Sequence, residues 1–87
     1  MKVVKINAIW CGACLIMNKV WKRIMDERNI ETINLDYDID EDEVRQYEVG
    51  NKLPVFIFYK RGKEIKRMVG EHSYEDMIRV IDEVENA

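Results

Sequence analysis

The chain reads as an α/β fold, a four-stranded mixed sheet flanked by three helices in the order β-α-β-α-β-β-α. Three observations predict it. A short apolar run, Val3 to Ala8, passes directly into a run with helical spacing. A second strand-type segment, Val55 to Tyr59, is β-branched and aromatic throughout and is followed at once by a connection of hairpin length. The stretch between them and the C-terminal stretch each open with a helix-start signal.

Taken in order, Val3, Val4, Ile6 and Ala8 form a strand buried on part of both faces. Cys14, Met17, Trp21, Ile24 and Met25 recur at three- and four-residue steps, which marks a helix from Cys14 to Arg28 with one apolar stripe. Leu15, Ile16 and Val20 widen that stripe, so the helix is expected to be well buried, and Asn29 marks its stop. Ile33, Leu35 and Tyr37 alternate with polar residues as a half-buried strand does. Asp40 to Glu43 begins a short helix, with Asp40 as cap and Glu43 at the capping-box position. Gly50-Asn51-Lys52 is a turn, and Arg61-Gly62-Lys63 joins Val55–Tyr59 to a return strand carrying Ile65, Met68 and Val69. Gly70 ends that strand. Ser73 and Asp76 then open a last helix whose apolar face is Tyr74, Met77, Ile78, Ile81 and Val84. The first two strands, joined through a helix, are expected to be parallel with a right-handed crossover, and the last two antiparallel.

Length and composition narrow the function classes. With 87 residues there is room for one core, so residues 1–87 are expected to be a single domain. Apolar residues make up 47% and charged ones 36%, a globular rather than a disordered balance. The net charge of −3, with both signs interspersed, excludes a nucleic-acid footprint. No apolar stretch approaches the roughly 18 residues of a membrane span, and Lys5 and Asn7 interrupt the N-terminal run, which makes it a poor signal peptide. A cytoplasmic monomer is therefore expected, with neither nucleic acid nor membrane as a partner.

Within this frame Trp10-Cys11-Gly12-Ala13-Cys14 carries the chemistry. Its cysteines are the only two in the chain and fall where the first strand gives way to the first helix. Residues three apart on a helix have Cβ atoms about 5–6 Å apart, and a disulfide needs about 3.5–4.5 Å. Slight tightening of a first helical turn closes that gap, so the pair can cycle between dithiol and disulfide without a change of fold. A cross-link across so short a loop constrains the unfolded chain little, which argues against a structural staple. Two bland alternatives stand beside the redox reading: a pair of buried small hydrophobes, or half of a metal site. Metal sites commonly take four ligands, and the chain offers these two cysteines and the distant His72, so a zinc or cluster site would have to bridge two chains. The acidic run Asp36 to Glu43 lacks the glycine and the length of a calcium loop and reads as a solvated helix start.

The element order with W-C-G-x-C at the end of the first strand resembles the thioredoxin family. The resemblance runs over essentially the whole chain and includes Leu53-Pro54 opening the strong strand, Phe58 to Lys63 around the hairpin, and Val69-Gly70 before the last helix. Full thioredoxins have an additional N-terminal strand and helix; this chain looks like the minimal, glutaredoxin-sized core, with strand order 2-1-3-4. The resemblance implies a thiol–disulfide oxidoreductase acting on protein disulfides. Cys11 is then the exposed nucleophile, its thiolate favoured by the helix N-terminus, and Cys14 the resolving cysteine. Pro54 carries the family's cis peptide bond, and Trp10, Gly12, Ala13, Leu53, Pro54 and Gly70 line the substrate groove. The implied electron donor is thioredoxin-reductase-like. No bound cofactor or metal is expected beyond the redox-active pair Cys11–Cys14.

Three positions depart from the family pattern. Ala13 replaces the usual proline between the cysteines. Lys5 stands where thioredoxins have a buried acid, and its amine is a candidate modulator of the Cys14 pKa, set against a solvent-pointing side chain at a strand edge. The Gly-Gly and acidic pair with which glutaredoxins hold glutathione is absent, because Val69-Gly70-Glu71-His72 keeps one glycine. The alternatives are a glutathione-dependent reductase, a metal- or cluster-binding CxxC module across a dimer, and a docking domain with an idle dithiol.

Overall fold

The computed structural model describes residues 1–87. Its elements are β1 (Lys2–Asn7), α1 (Gly12–Glu27), β2 (Glu31–Asp36), α2 (Glu41–Arg45), β3 (Val55–Lys60), β4 (Lys63–Val69) and α3 (Tyr74–Glu85). The sheet runs β2-β1-β3-β4, with β1 and β2 parallel and the other two pairs antiparallel. Fold class, element order and strand order all agree with the sequence reading.

Alternation along the central strands sorts their side chains onto two faces. On one face Val3, Phe56 and Phe58 pack with Met17, Trp21 and Ile24 of α1 and with Met77, Val80, Ile81 and Val84 of α3. On the other, Val4, Ile6, Val55 and Ile57 pack with Val44 of α2 and with Leu53. Trp21 anchors the first layer, its ring 5.0 Å from Phe56, while its indole N–H donates to Thr32 Oγ1 at 3.2 Å. The β3–β4 hairpin turns on Arg61 (φ 56°) and Gly62 (φ 79°), the pair of positive φ values that lets a two-residue turn follow the twist of the strands.

Several local expectations change. Helix α1 is not buried all round: Leu15 is 62% exposed and Ile16 is exposed too, because its inner face is the narrower line Cys14, Met17, Trp21 and Ile24. It stops at Glu27 with Arg28 as cap, before Asn29, and Arg28 leaves the helix in an extended conformation. Asp40 sits at the N-cap of α2 but makes no side-chain cap. Its carboxylate accepts the Asp36 N–H at 2.8 Å instead, and the Asp36 carboxylate takes the N–H groups of Asp38 and Ile39. The acidic run thus folds back on its own loop, competing with the helix for its side chains. Ser73 does cap α3, accepting the Asp76 N–H at 3.1 Å. His72 is half-buried, its backbone N–H 3.4 Å from the Met17 sulfur and its Nε2 3.1 Å from the Val69 carbonyl oxygen.

Phe56 is fully buried between the two helices and Trp21. Phe56→Ala is expected to lower unfolding free energy by about 3–5 kcal/mol in urea denaturation. Ile65→Ala, at an exposed position of β4, is expected to change it by less than about 0.5 kcal/mol.

Candidate active site

The site is assembled by strand register. β1 and β3 pair antiparallel with Ile6 opposite Val55, and β3 and β4 pair with Val55 opposite Val69. The end of β1, the start of β3 and the end of β4 therefore meet at one edge of the sheet. Leu53-Pro54 and Gly70, remote in sequence from Cys11, are carried to it by this pairing. The Leu53–Pro54 bond is cis, and the Pro54 carbonyl accepts the Gly70 N–H at 2.8 Å, with Gly70 at φ 85° where a Cβ would be disfavoured.

Cys11 is the N-cap of α1. Its backbone is extended (φ −91°, ψ 111°) and its sulfur takes the place that a serine or threonine oxygen fills in most helix caps, accepting the Cys14 N–H at 3.2 Å. The Cys11 thiol in turn donates to the Leu53 carbonyl at 3.5 Å. These contacts correct one expectation: Cys11 is only 7% exposed, because its side chain folds under Leu53 and back onto its own helix. The accessible rim is formed by its neighbours, with Trp10 60% exposed and Ile9 and Val69 also open to solvent. Gly12 is exposed and Ala13 half-buried on the first turn of α1.

Cys14 lies one turn further in and is 1% exposed. Its thiol pKa is pushed up to about 11, first by burial and next by its hydrogen bond with Cys11; a backbone hydrogen bond at Ala8 and the positive charge of Lys5 act the other way. Both cysteines are free thiols. No group of three or more His, Cys, Asp or Glu side chains is arranged so that it could hold a metal ion. The surface hollows avoid the sulfurs; the largest, about 460 Å³, is lined by Tyr37, Asp38, Glu41, Val44, Arg45, Glu48 and Val49.

Two further residues join the site without having been anticipated. Asp38 accepts the Trp10 indole N–H at 2.7 Å while Tyr37 stands edge-on to the Trp10 ring at 6.2 Å, so the exposed indole is held from the β2–α2 loop. Asn18, four residues after Cys14 on α1, accepts the Lys5 ammonium donor at 2.5 Å. Nothing local in the sequence marks Asp38, whereas the four-residue step from Cys14 to Asn18 is legible as a shared helix face. Lys5 is not at a strand edge. It is 7% exposed on the central strand β1.

A dithiol at a strand-to-helix junction, opposite a cis-proline loop, defines the class of thioredoxin-fold oxidoreductases. The comparisons place the chain within it. Residues 1–83 match the family model Thioredoxin. The chain is similar to a thioredoxin of Malassezia sympodialis, 38% identical over 74 residues that cover 79% of this chain and 70% of that protein. It is also similar to thioredoxin H2 of Arabidopsis thaliana, 35% identical over 69 residues, covering 78% of this chain and 51% of the plant protein. Among solved structures, Fasciola hepatica thioredoxin superposes with a TM-score of 0.85 at 29% identity, covering 94% of this chain and 78% of that one. The chain belongs to the thioredoxin family, whose members are thiol–disulfide oxidoreductases. It spans about half the length of the plant relative.

The raised Cys14 pKa has a definite sign. The folded thiol holds its proton more tightly than the unfolded one, so the reduced protein gains stability below pH 9.0 and loses that contribution as pH rises to about 11. The Cys14 ¹³Cβ shift in the reduced protein, followed through the alkaline range, is expected to titrate near 11. A midpoint at or below 9.0 contradicts the assignment.

Proposed function

We propose that the chain is a thiol–disulfide oxidoreductase that reduces protein disulfides, with Cys11 attacking and Cys14 resolving. The carrying observation is the asymmetry of the pair. The Cys11 sulfur sits at the helix N-terminus, accepting the Cys14 N–H at 3.2 Å, and the Cys14 sulfur lies behind it in the core. A thiolate at Cys11 keeps that backbone donor and faces the partial positive charge of α1.

Attack by the Cys11 thiolate on a substrate disulfide breaks the substrate S–S bond and releases one substrate sulfur as thiolate, leaving Cys11 in a mixed disulfide. The Cys14 sulfur then attacks the Cys11 sulfur, the second substrate sulfur departs, and the Cys11–Cys14 disulfide forms. Two electrons have passed to the substrate. Loss of the Cys11 proton also removes the donor that occupies the Leu53 carbonyl. That carbonyl, on a loop with no N–H at Pro54, is then free to accept from an extended substrate strand, while Trp10, Gly12, Ala13 and Gly70 form the rim. No hollow surrounds the sulfurs, which favours a disulfide presented on a protein surface over an enclosed small thiol such as glutathione. In this reading the protein works as a monomer in the cytosol, needs no bound cofactor, and is returned to the dithiol by a thioredoxin-reductase-like donor.

Insulin reduction driven by dithiothreitol tests the reading. The native protein is expected to turn over, Cys11→Ser to fall to the uncatalysed background, and Cys14→Ser to stop with one substrate joined through Cys11. Capture of glutathione in place of protein by Cys14→Ser contradicts the choice of substrate; unchanged turnover by Cys11→Ser contradicts the mechanism.

A further inference from the structure

The acidic run Asp36 to Asp40 takes no part in the dithiol chemistry, yet its bonds end at Trp10. None of Asp36, Asp38 and Asp40 is ion-paired, so three carboxylates crowd one short loop without a cation to offset them. What each takes instead is an N–H group. Asp40 Oδ2 accepts the Asp36 N–H at 2.8 Å, and the Asp36 carbonyl accepts the Asp40 N–H at 2.9 Å, which closes the loop on itself. Asp36 Oδ1 accepts the N–H groups of Asp38 and Ile39, both at 2.9 Å. These bonds fix the backbone that carries the Asp38 side chain. Asp38 Oδ2 then accepts the Trp10 indole N–H at 2.7 Å. The bonds run in series from Asp40 through Asp36 and Asp38 to Trp10, the residue before Cys11.

Trp10 needs such a hold. It is 60% exposed, lies between β1 and α1, and belongs to neither apolar layer. A large side chain left free must lose its rotamer freedom when a partner packs on it, and that cost falls on binding. An indole already locked by Asp38 and by the edge-on Tyr37 ring avoids it. The bond also occupies the only donor of the indole, so what remains for a substrate is an apolar surface. The loop is kept at the expense of α2, whose N-cap residue Asp40 gives no side-chain cap.

We propose that Asp38 is a positioning residue for the substrate-binding face of Trp10, and that Asp36 and Asp40 act on substrate binding through it. The inference rests on the reading that Cys11 attacks protein disulfides across a rim that includes Trp10. The acidic loop then serves the binding of the protein around the disulfide, not the exchange at sulfur. Loosening it raises KM for a protein disulfide and spares reaction with a disulfide too small to reach the rim.

The test combines insulin reduction, reaction with bis(2-hydroxyethyl) disulfide, and exchange of the Trp10 indole N–H with water read by NMR. Asp38→Ala removes a hydrogen bond to a charged group and is expected to raise the insulin KM about 10-fold, with a smaller change in kcat. The Trp10 indole proton is expected to exchange faster in the same variant. Asp38→Asn keeps an acceptor and is expected to restore both readouts to within about twofold of the native protein. Asp40→Ala lies outside the site and is expected to raise the insulin KM about threefold, with no change toward the small disulfide. In a Trp10→Ala background Asp40→Ala is expected to have no further effect, because the two act in series. An unchanged KM in Asp38→Ala, failure of Asp38→Asn to restore it, or additive effects of Asp40→Ala and Trp10→Ala overturns the inference. If Asp38→Ala does not fold, the cycle with Asp40→Ala decides. Absence of insulin turnover by the native protein instead defeats the parent reading, whereas turnover with KM unmoved by these variants defeats the inference alone.

Discussion

The contact on which this structure turns is the cap of α1. Every helix begins with backbone N–H groups that have no partner within the helix, and in most proteins an oxygen side chain satisfies one of them. Here a cysteine sulfur takes that place, accepting the Cys14 N–H at 3.2 Å. Because the cap is a thiol, the same geometry that starts the helix also sets a reactive atom at its positive end. The three-residue interval from cap to first-turn donor is the interval between the two cysteines. Folding of the helix and assembly of the dithiol are one event.

The sheet supplies the rest of the site by register. Ile6 opposite Val55 and Val55 opposite Val69 fix the ends of three strands at one edge. The loops leaving that edge are those carrying Cys11, Leu53-Pro54 and Gly70. A slip of one residue along β1 would turn alternate side chains to the wrong face and bring Lys2 to the place where Val3 now packs. The two apolar layers, one under α1 and α3 and the other under α2, hold the register. Core packing and chemistry are thereby coupled: the residues that keep β3 in place are those that keep the Leu53 carbonyl 3.5 Å from the Cys11 sulfur.

Much of this was legible in the sequence, because the signals were local. Strand and helix periodicity, the hairpin at Arg61-Gly62, the Ser73 cap and the W-C-G-A-C junction each depend on neighbours within a few residues. What was not legible depends on partners chosen in three dimensions. Asp40 had a helix cap available and took the Asp36 N–H instead, while Asp36 took the N–H groups of Asp38 and Ile39. Leu15 and Ile16 have apolar side chains but fall on the outer arc of α1. Asp38 reaches Trp10 across 28 positions of chain. Burial of Cys11 follows from its double role as cap and as donor to Leu53, and no periodicity encodes that. Lys5 was visible as an odd residue in a strand, but its bond to Asn18 appears only once α1 lies across β1.

In the function proposed above, Cys11 and Cys14 form an intramolecular redox couple in a fold that does not change between its two states. The direct measurement is an equilibrium titration of the native protein in graded ratios of reduced to oxidised dithiothreitol, read by intact mass and by amide chemical shifts. The predicted result is a reversible two-electron transition with loss of two hydrogens from the monomer, and shift changes confined to the residues around Cys11, Cys14, Leu53-Pro54 and Gly70. Oxidation that yields only disulfide-linked dimers, or shift changes spread through both apolar layers, would contradict it.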